Sequence, residues 1–217
     1  MDHNNEPGLP PAYEHIKAPL EPVNYAFSPQ QHENTMLLVP PSSLPDSRPQ
    51  YHISVALNVF NPFSFTTTIR RGGTSNGPKV GEFEMGISSL PGIVTINGVI
   101  KFISEVVVEG EWGKHTWKFD SQDTSKHIFW NRSPADLGLY NCYLDRQYKV
   151  KIAQYQGHTF KRRPAETTLR VYPEGQKHFD DIVISILILE RMRLRPGAPK
   201  TNRTPGANFM TEASWWS

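Results

Sequence analysis

The sequence predicts a mainly β domain, a closed antiparallel barrel of about twelve strands around a buried hydrophobic C-terminal helix. Three observations predict it. The run from Ile182 to Leu189 is apolar on every face but for Ser185, with Asp180-Asp181 before it and Glu190-Arg191-Met192-Arg193-Leu194 after it. From Tyr51 onward the chain reads as many short, alternating strands separated by turn residues. Proline, at 19 residues, concentrates at the two ends. A helix that is greasy all round needs a complete apolar sleeve, and a sheet closed on itself supplies one without exposed edges.

Residues 1–50 hold Pro7, Pro10, Pro11, Pro19, Pro22, Pro29, Pro40, Pro41, Pro45 and Pro49 among few clustered apolar residues. They read as a disordered proline-rich tail that cannot bury enough surface to offset its ordering entropy. Met36-Leu37-Leu38-Val39 is the exception, a segment expected to dock weakly. His52–Phe60 and Phe63–Ile69 are rich in β-branched and aromatic residues, and Asn61-Pro62 marks a corner between them. Arg71 to Pro78 reads as an exposed turn, and Glu82 to Ile87 alternates as a half-buried strand does. Gly92 to Ile103 is the clearest hairpin, because Asn97-Gly98 readily takes the positive φ angles of a two-residue turn.

Further strands are expected at Glu105–Val108, His115–Phe119, His127–Trp130, Leu139–Tyr143, Tyr148–Gln154 and Thr167–Tyr172. Pro173-Glu174-Gly175 then turns the chain into a helix over about 179–194. Asp180 or Asp181 is expected to cap its first amides, and Arg191, Arg193 and Arg195 suit its negative end. Pro196-Gly197 ends it. The barrel domain is thus expected over 51–195, followed by a flexible tail over 196–217 that finishes in Trp215-Trp216. Burying seven Ile, Leu and Val side chains of the helix contributes about 10–20 kcal/mol of gross transfer energy, so Ile184→Asp or Leu187→Asp is expected to abolish folding.

Composition excludes several functions. The net charge of +2 over 217 residues is too small to draw nucleic acid by bulk attraction. Cys142 is the single cysteine, which rules out an internal disulfide and fits a reducing compartment. It is expected to be a buried, inert thiol. Met1 to Glu6 lacks the basic start and apolar stretch of a secretory signal. The eight residues of the run from Ile182 to Leu189 fall short of the ~20 that cross a bilayer. The expected location is therefore intracellular, in the cytoplasm with peripheral membrane association as one option and the nucleus as the alternative. The eight histidines show no metal-binding pair spacing, and no phosphate loop, nucleophile elbow or paired carboxylates occur. No metal, no cofactor and no catalytic residue are expected.

Two short motifs carry binding chemistry. Pro10-Pro11-Ala12-Tyr13 matches peptides that dock in WW-domain grooves: the prolines pre-form a polyproline II segment, and Tyr13 fills a second pocket. A chance match in a proline-rich tail is the competing reading. Lys161-Arg162-Arg163, between His158 and Arg170, is a basic cluster whose guanidinium forks suit phosphate oxygens. A solvated loop is the competing reading. A second basic stretch, Arg191 to Arg203 beside Trp215-Trp216, suits an anionic surface, although the helix dipole already accounts for its first members.

His178 to Arg191 resembles the central helix of the plant LURP-one-related branch of the tubby C-terminal-like superfamily, which also includes the tubby proteins and the phospholipid scramblases. Asn61-Pro62-Phe63 to Gly73, followed by Val80-Gly81-Glu82-Phe83, is similar to an uncharacterised fungal branch. The resemblance covers about residues 51–195 and implies a twelve-stranded barrel closed around the C-terminal helix. It also implies a surface that binds phosphoinositide headgroups through lysine and arginine, with no tubby residue matched individually. A scramblase would further require a cysteine-rich lipidation patch and an acidic calcium segment, and only Cys142 and Asp180-Asp181 are present.

The expected function is a non-enzymatic intracellular binding module: Lys161, Arg162 and Arg163 meet anionic lipid or a protein, and Pro10, Pro11 and Tyr13 meet a WW-domain partner. The alternatives are an enzyme whose site assembles from distant residues, a scramblase-like lipid handler, and a sugar platform built on Trp112, Trp117 or Trp130.

Overall fold

The computed structural model describes residues 19–30, 34–61, 63–86, 91–120, 122–158 and 166–194. Its strands are β1 (Val23–Pro29), β2 (Thr35–Val39), β3 (Tyr51–Leu57), β4 (Ser64–Arg71), β5 (Lys79–Gly86), β6 (Ile93–Ile96) and β7 (Val99–Phe102). After one helical turn, α1 (Ile103–Val106), come β8 (Val107–Glu109), β9 (Lys114–Trp117), β10 (Ile128–Arg132), β11 (Leu139–Tyr143), β12 (Lys151–Gln156) and β13 (Thr168–Val171). A 3₁₀ segment at Pro173–His178 leads into α2 (Phe179–Leu194). The protein is mainly β, a thirteen-stranded antiparallel sheet in the order β7-β6-β5-β4-β3-β2-β1-β13-β12-β11-β10-β9-β8, with a C-terminal helix.

Within α2, Phe179, Ile182, Val183, Ile184, Ile186, Ile188 and Leu189 are buried, as an all-apolar run demands. They meet inward-facing residues of most strands, among them Tyr25, Ile53, Ile69, Phe83, Trp117, Trp130, Tyr140 and Leu169. Phe179 sits between the rings of Tyr25 and Tyr51, at centroid distances of 4.8 and 5.1 Å. Leu187 is only half-buried. β5 passes close to the helix at Gly81, where a Cβ would stand 2.9 Å from the Ile184 side chain. The β6–β7 turn is as expected: Asn97 and Gly98 both have positive φ, 50° and 77°.

Three expectations are corrected. The first is the domain boundary at Tyr51. β1 is the seventh of the thirteen strands in spatial order, hydrogen-bonded to β13 on one side and to β2 on the other. Val23, Tyr25 and Phe27 alternate inward along it. Its closing proline, Pro29, lies at the strand end, where a missing amide costs no ladder bond.

The second is closure. All twelve neighbouring pairs are antiparallel, so β7 and β8, at the two ends of the order, run in the same direction. An odd number of strands can close only through a parallel pair, and joining parallel neighbours takes a crossover of a dozen residues or so. Here only the four residues of α1 join β7 to β8. No ladder connects them among the described residues, and the sheet remains open at a seam. Ile103 and Val106 fill the interior behind that seam, and Lys118 donates from its amide to the Val106 carbonyl across 2.9 Å. The segment read as a strand over Glu105–Val108 is therefore half helical turn.

The third is the cap. Asp180 and Asp181 lie in the first turn of α2, but their carboxylates reach the sheet instead. Tyr51 donates its hydroxyl to Asp180 (2.6 Å), Arg71 pairs with Asp180 (2.7 Å), and the Trp117 indole donates to Asp181 (2.8 Å).

Among the described residues no helix is long and apolar enough to cross a membrane. Pro10, Pro11, Tyr13, Lys161, Arg162, Arg163 and the segment from Arg195 onward lie outside the described residues.

Candidate functional site

The contacts of α2 orient the sheet. Tyr51, Arg71 and Trp117 mark its N-terminal end through Asp180 and Asp181. The C-terminal end is marked by Phe65, whose ring lies 5.2 Å from the Arg191 guanidinium, and by His158, whose carbonyl accepts from Arg193 at 2.8 Å. The turn after Leu57 of β3 and the end of β12 at Gln156 therefore lie toward the C-terminal end of α2.

That end is plugged by a buried ion pair. Glu190 is 5% exposed and receives both Nε and Nη2 of Arg193, each at 2.7 Å. Burial, and then the Glu190 charge, push the Tyr140 hydroxyl up to about 12. Tyr155, fully buried beside Glu190, is pushed well up for the same reasons.

Outside the plug, the β3–β4 loop projects three apolar side chains. Val59, Phe60 and Phe63 are 82%, 96% and 63% exposed. The loop is held firmly. The Asn58 carboxamide oxygen accepts from the Phe60 amide (2.9 Å), and that of Asn61 accepts from the Phe63 amide (3.3 Å). The Asn58 amide donates to the Ser64 carbonyl at 2.9 Å. The Asn58 side chain and the Ser64 hydroxyl both donate to one oxygen of Glu84, at 2.8 and 2.6 Å. Asn and Ser bond readily to nearby backbone, which is why such residues build tight loops. The result is a preorganised tip whose polar residues face the scaffold while its apolar residues face solvent.

Trp112 extends the same rim. It is 84% exposed, with φ 59° and ψ 34° in the β8–β9 turn. The adjoining Gly113 packs beside Arg132, at the end of β10 remote from Asp181. Trp117 and Trp130 are buried, and each donates its indole N–H to the helix, to Asp181 and Ser185 respectively. Only one of the three tryptophans weighed as a sugar platform is thus accessible.

At the other end of α2 the seam opens as a cleft of about 650 Å³. Val80, Ile96, Val99, Phe119 and Ile184 form its apolar walls, and Arg71, Lys79, Lys101, Lys126, Asp120, Asp180 and Asp181 its polar ones. Burial pushes the Asp181 carboxyl above the usual carboxylate range, against the opposing effect of the Trp117 hydrogen bond. Burial pushes His178, just before the helix, below the usual imidazole value. Cys142 is fully buried and its thiol is pushed well up by burial, as expected of an inert thiol. Among the described residues no cluster of three or more His, Cys, Asp or Glu is arranged to hold a metal ion.

Sequence reading singled out neither the projecting loop nor the cleft. Val59, Phe60 and Phe63 were visible as apolar residues flanking Asn61-Pro62, a position that a hairpin tip makes exposed. The cleft had no local signal, because its residues come from four separated stretches.

A family of unknown function, DUF6593, matches residues 33–195. That is most of the chain, and the protein belongs to this family. The match begins upstream of Tyr51, in keeping with β2 as part of the domain. No curated protein and no solved structure matches the chain.

Proposed function

We propose that this member of a family of unknown function is a non-enzymatic binding module that docks on an anionic membrane surface through the helix C-terminal end of its sheet. One observation carries the reading: Val59, Phe60 and Phe63 are displayed outward on a loop held in place by the five hydrogen bonds described above. Exposed apolar groups clustered on an ordered tip mark an interaction site rather than a packing accident. Preorganisation lowers the ordering cost of binding.

Trp112 on the same rim suits the interfacial layer, where an amphipathic ring keeps one edge wet. To Lys161, Arg162 and Arg163, which lie between β12 and β13 in sequence, the reading assigns the electrostatic half of the attraction, about 1 kcal/mol per basic residue near an anionic surface. The reading agrees with the resemblance to the tubby-like superfamily, with the open, thirteen-stranded sheet as a variant of that closed barrel. It places the protein at the cytoplasmic face of a membrane. Pro10, Pro11 and Tyr13 would recruit a WW-domain partner there.

Co-sedimentation of the full chain with vesicles tests the reading. Phosphatidylcholine vesicles are compared with vesicles that also hold phosphatidylserine or phosphoinositide. Binding to the anionic vesicles is expected, weakened both by Val59→Ser/Phe60→Ser/Phe63→Ser and by Lys161→Ala/Arg162→Ala/Arg163→Ala. Absence of binding at every composition would overturn the reading and leave the apolar tip as a protein-docking element.

A further inference from the structure

The seam cleft lies at the opposite end of α2 from the proposed membrane face, and its chemistry differs. Three of its four cations already have carboxylate partners. Arg71 pairs with Asp180 at 2.7 Å, Lys79 with Glu82 at 3.1 Å, and Lys126 with Asp120 and Asp123 at 3.2 and 3.3 Å. Lys101 does not. Its ammonium donates to the neutral Phe119 carbonyl (2.5 Å) and lies 5.0 Å from the centre of the Phe119 ring. No carboxylate is within ion-pairing range of it among the described residues. It is half-buried on β7, whose other neighbour in the sheet is missing because the sheet does not close.

We propose that this cleft is a binding site for an apolar monocarboxylate, with the carboxylate on Lys101 and the hydrocarbon body against Val80, Ile96, Phe119 and Ile184. Lys101, the lining cation with no carboxylate partner among the described residues, selects the class; Asp181 in the same lining already accepts from the Trp117 indole. One uncompensated ammonium matches one negative charge, whereas a phosphate dianion or polyphosphate would also have to displace Asp120 or Asp180 from its partner. An ammonium is a compact point charge with donors to spare after one bond to a carbonyl. The volume falls within the range of small-molecule sites.

Octanoate, octylamine and inorganic phosphate serve as probes, added to the isotope-labelled full chain and followed by amide chemical shifts. Octanoate is expected to give saturable shifts confined to the residues around Val80, Ile96, Lys101 and Phe119, while octylamine and phosphate give none there. Lys101→Met should weaken octanoate by about tenfold, as loss of one charge-assisted hydrogen bond does, and Lys101→Arg should largely restore it. Val99→Trp, at a half-exposed edge position in the cleft wall, should block binding without touching Lys101, which covers the case of a poorly folded Lys101→Met. Scattered or non-saturating shifts, unchanged affinity in both Lys101→Met and Val99→Trp, or phosphate binding more tightly than octanoate would each overturn the proposal. None of these outcomes depends on vesicle binding, so this site and the membrane face stand or fall separately.

Discussion

At its N-terminal end α2 is tied to the sheet: Asp180 and Asp181 reach Tyr51, Arg71 and Trp117, which come from three different strands. At its C-terminal end the charged group turns inward on its own helix, Glu190 pairing with Arg193 three residues on. The Arg71–Asp180 pair is 47% and 40% exposed, whereas the Arg193–Glu190 pair is 10% and 7% exposed. The first end keeps its polar groups near water and leaves a cleft open beside them. The second seals the interior and displays apolar groups outside. Electrostatics at the two ends therefore differ in kind: solvent screens one pair, and the other is obligatory once buried.

The largest expected effect tests what the two ends share. Ile184→Asp places a charge at a fully buried helix position and should remove the folded state, because its cost is comparable with a total stability of about 5–15 kcal/mol. Leu187→Asp, at a half-buried position, should leave a soluble protein of reduced melting temperature. If both variants melted cooperatively at nearly the wild-type temperature, α2 would not be the core of the fold.

Next come the two ion pairs. Arg193→Met strands a buried Glu190 and should cost about 3–5 kcal/mol in urea denaturation. Arg71→Met should cost about 0–1 kcal/mol. Equal losses would show that the ends are not electrostatically distinct.

Smaller still is the effect of the projecting loop on stability. Val59→Ser, Phe60→Ser and Phe63→Ser should each change stability by less than about 0.5 kcal/mol, since these side chains bury little. Their effect should appear in vesicle binding instead. A large drop in melting temperature would mean that the tip packs against the domain.

The last prediction concerns pH and again separates regions. Burial lowers His115 and His178 below the unfolded value of 6.5. Their neutral forms therefore contribute stability that is present above 6.5 and lost as pH falls through the folded values. Asp181 behaves oppositely. Its folded value lies above 3.8, so its favourable contribution exists at low pH and disappears as pH rises through the folded value. His115→Gln should flatten the fall in melting temperature between pH 7 and pH 5. Asp181→Asn should raise the melting temperature at pH 7 and lose that advantage in acid, a pattern readable by thermal scans.

Much of this was legible locally. The all-apolar run from Ile182 to Leu189 had only one physically acceptable environment. Asn97-Gly98 named its own turn. Val23, Tyr25 and Phe27 alternate at a strand's period of two and could have revealed β1, but the density of prolines around them masked the signal. The sequence makes Asp180 or Asp181 the expected cap, because acids at a helix start usually are. Their actual partners, Tyr51, Arg71 and Trp117, are 64 residues or more away in the chain.

What the sequence alone determined was class and core: a β protein built around a C-terminal helix whose apolar run is buried, because period and hydrophobicity are properties of consecutive residues. The tertiary structure decided how the sheet ends. Thirteen alternating strands cannot close with the four residues of α1 between the last two edges, so a seam is left, and Lys101 beside it has no carboxylate partner among the described residues. It also decided that Val59, Phe60 and Phe63 point to solvent, because exposure depends on what lies opposite in space, and nothing in a local pattern specifies that.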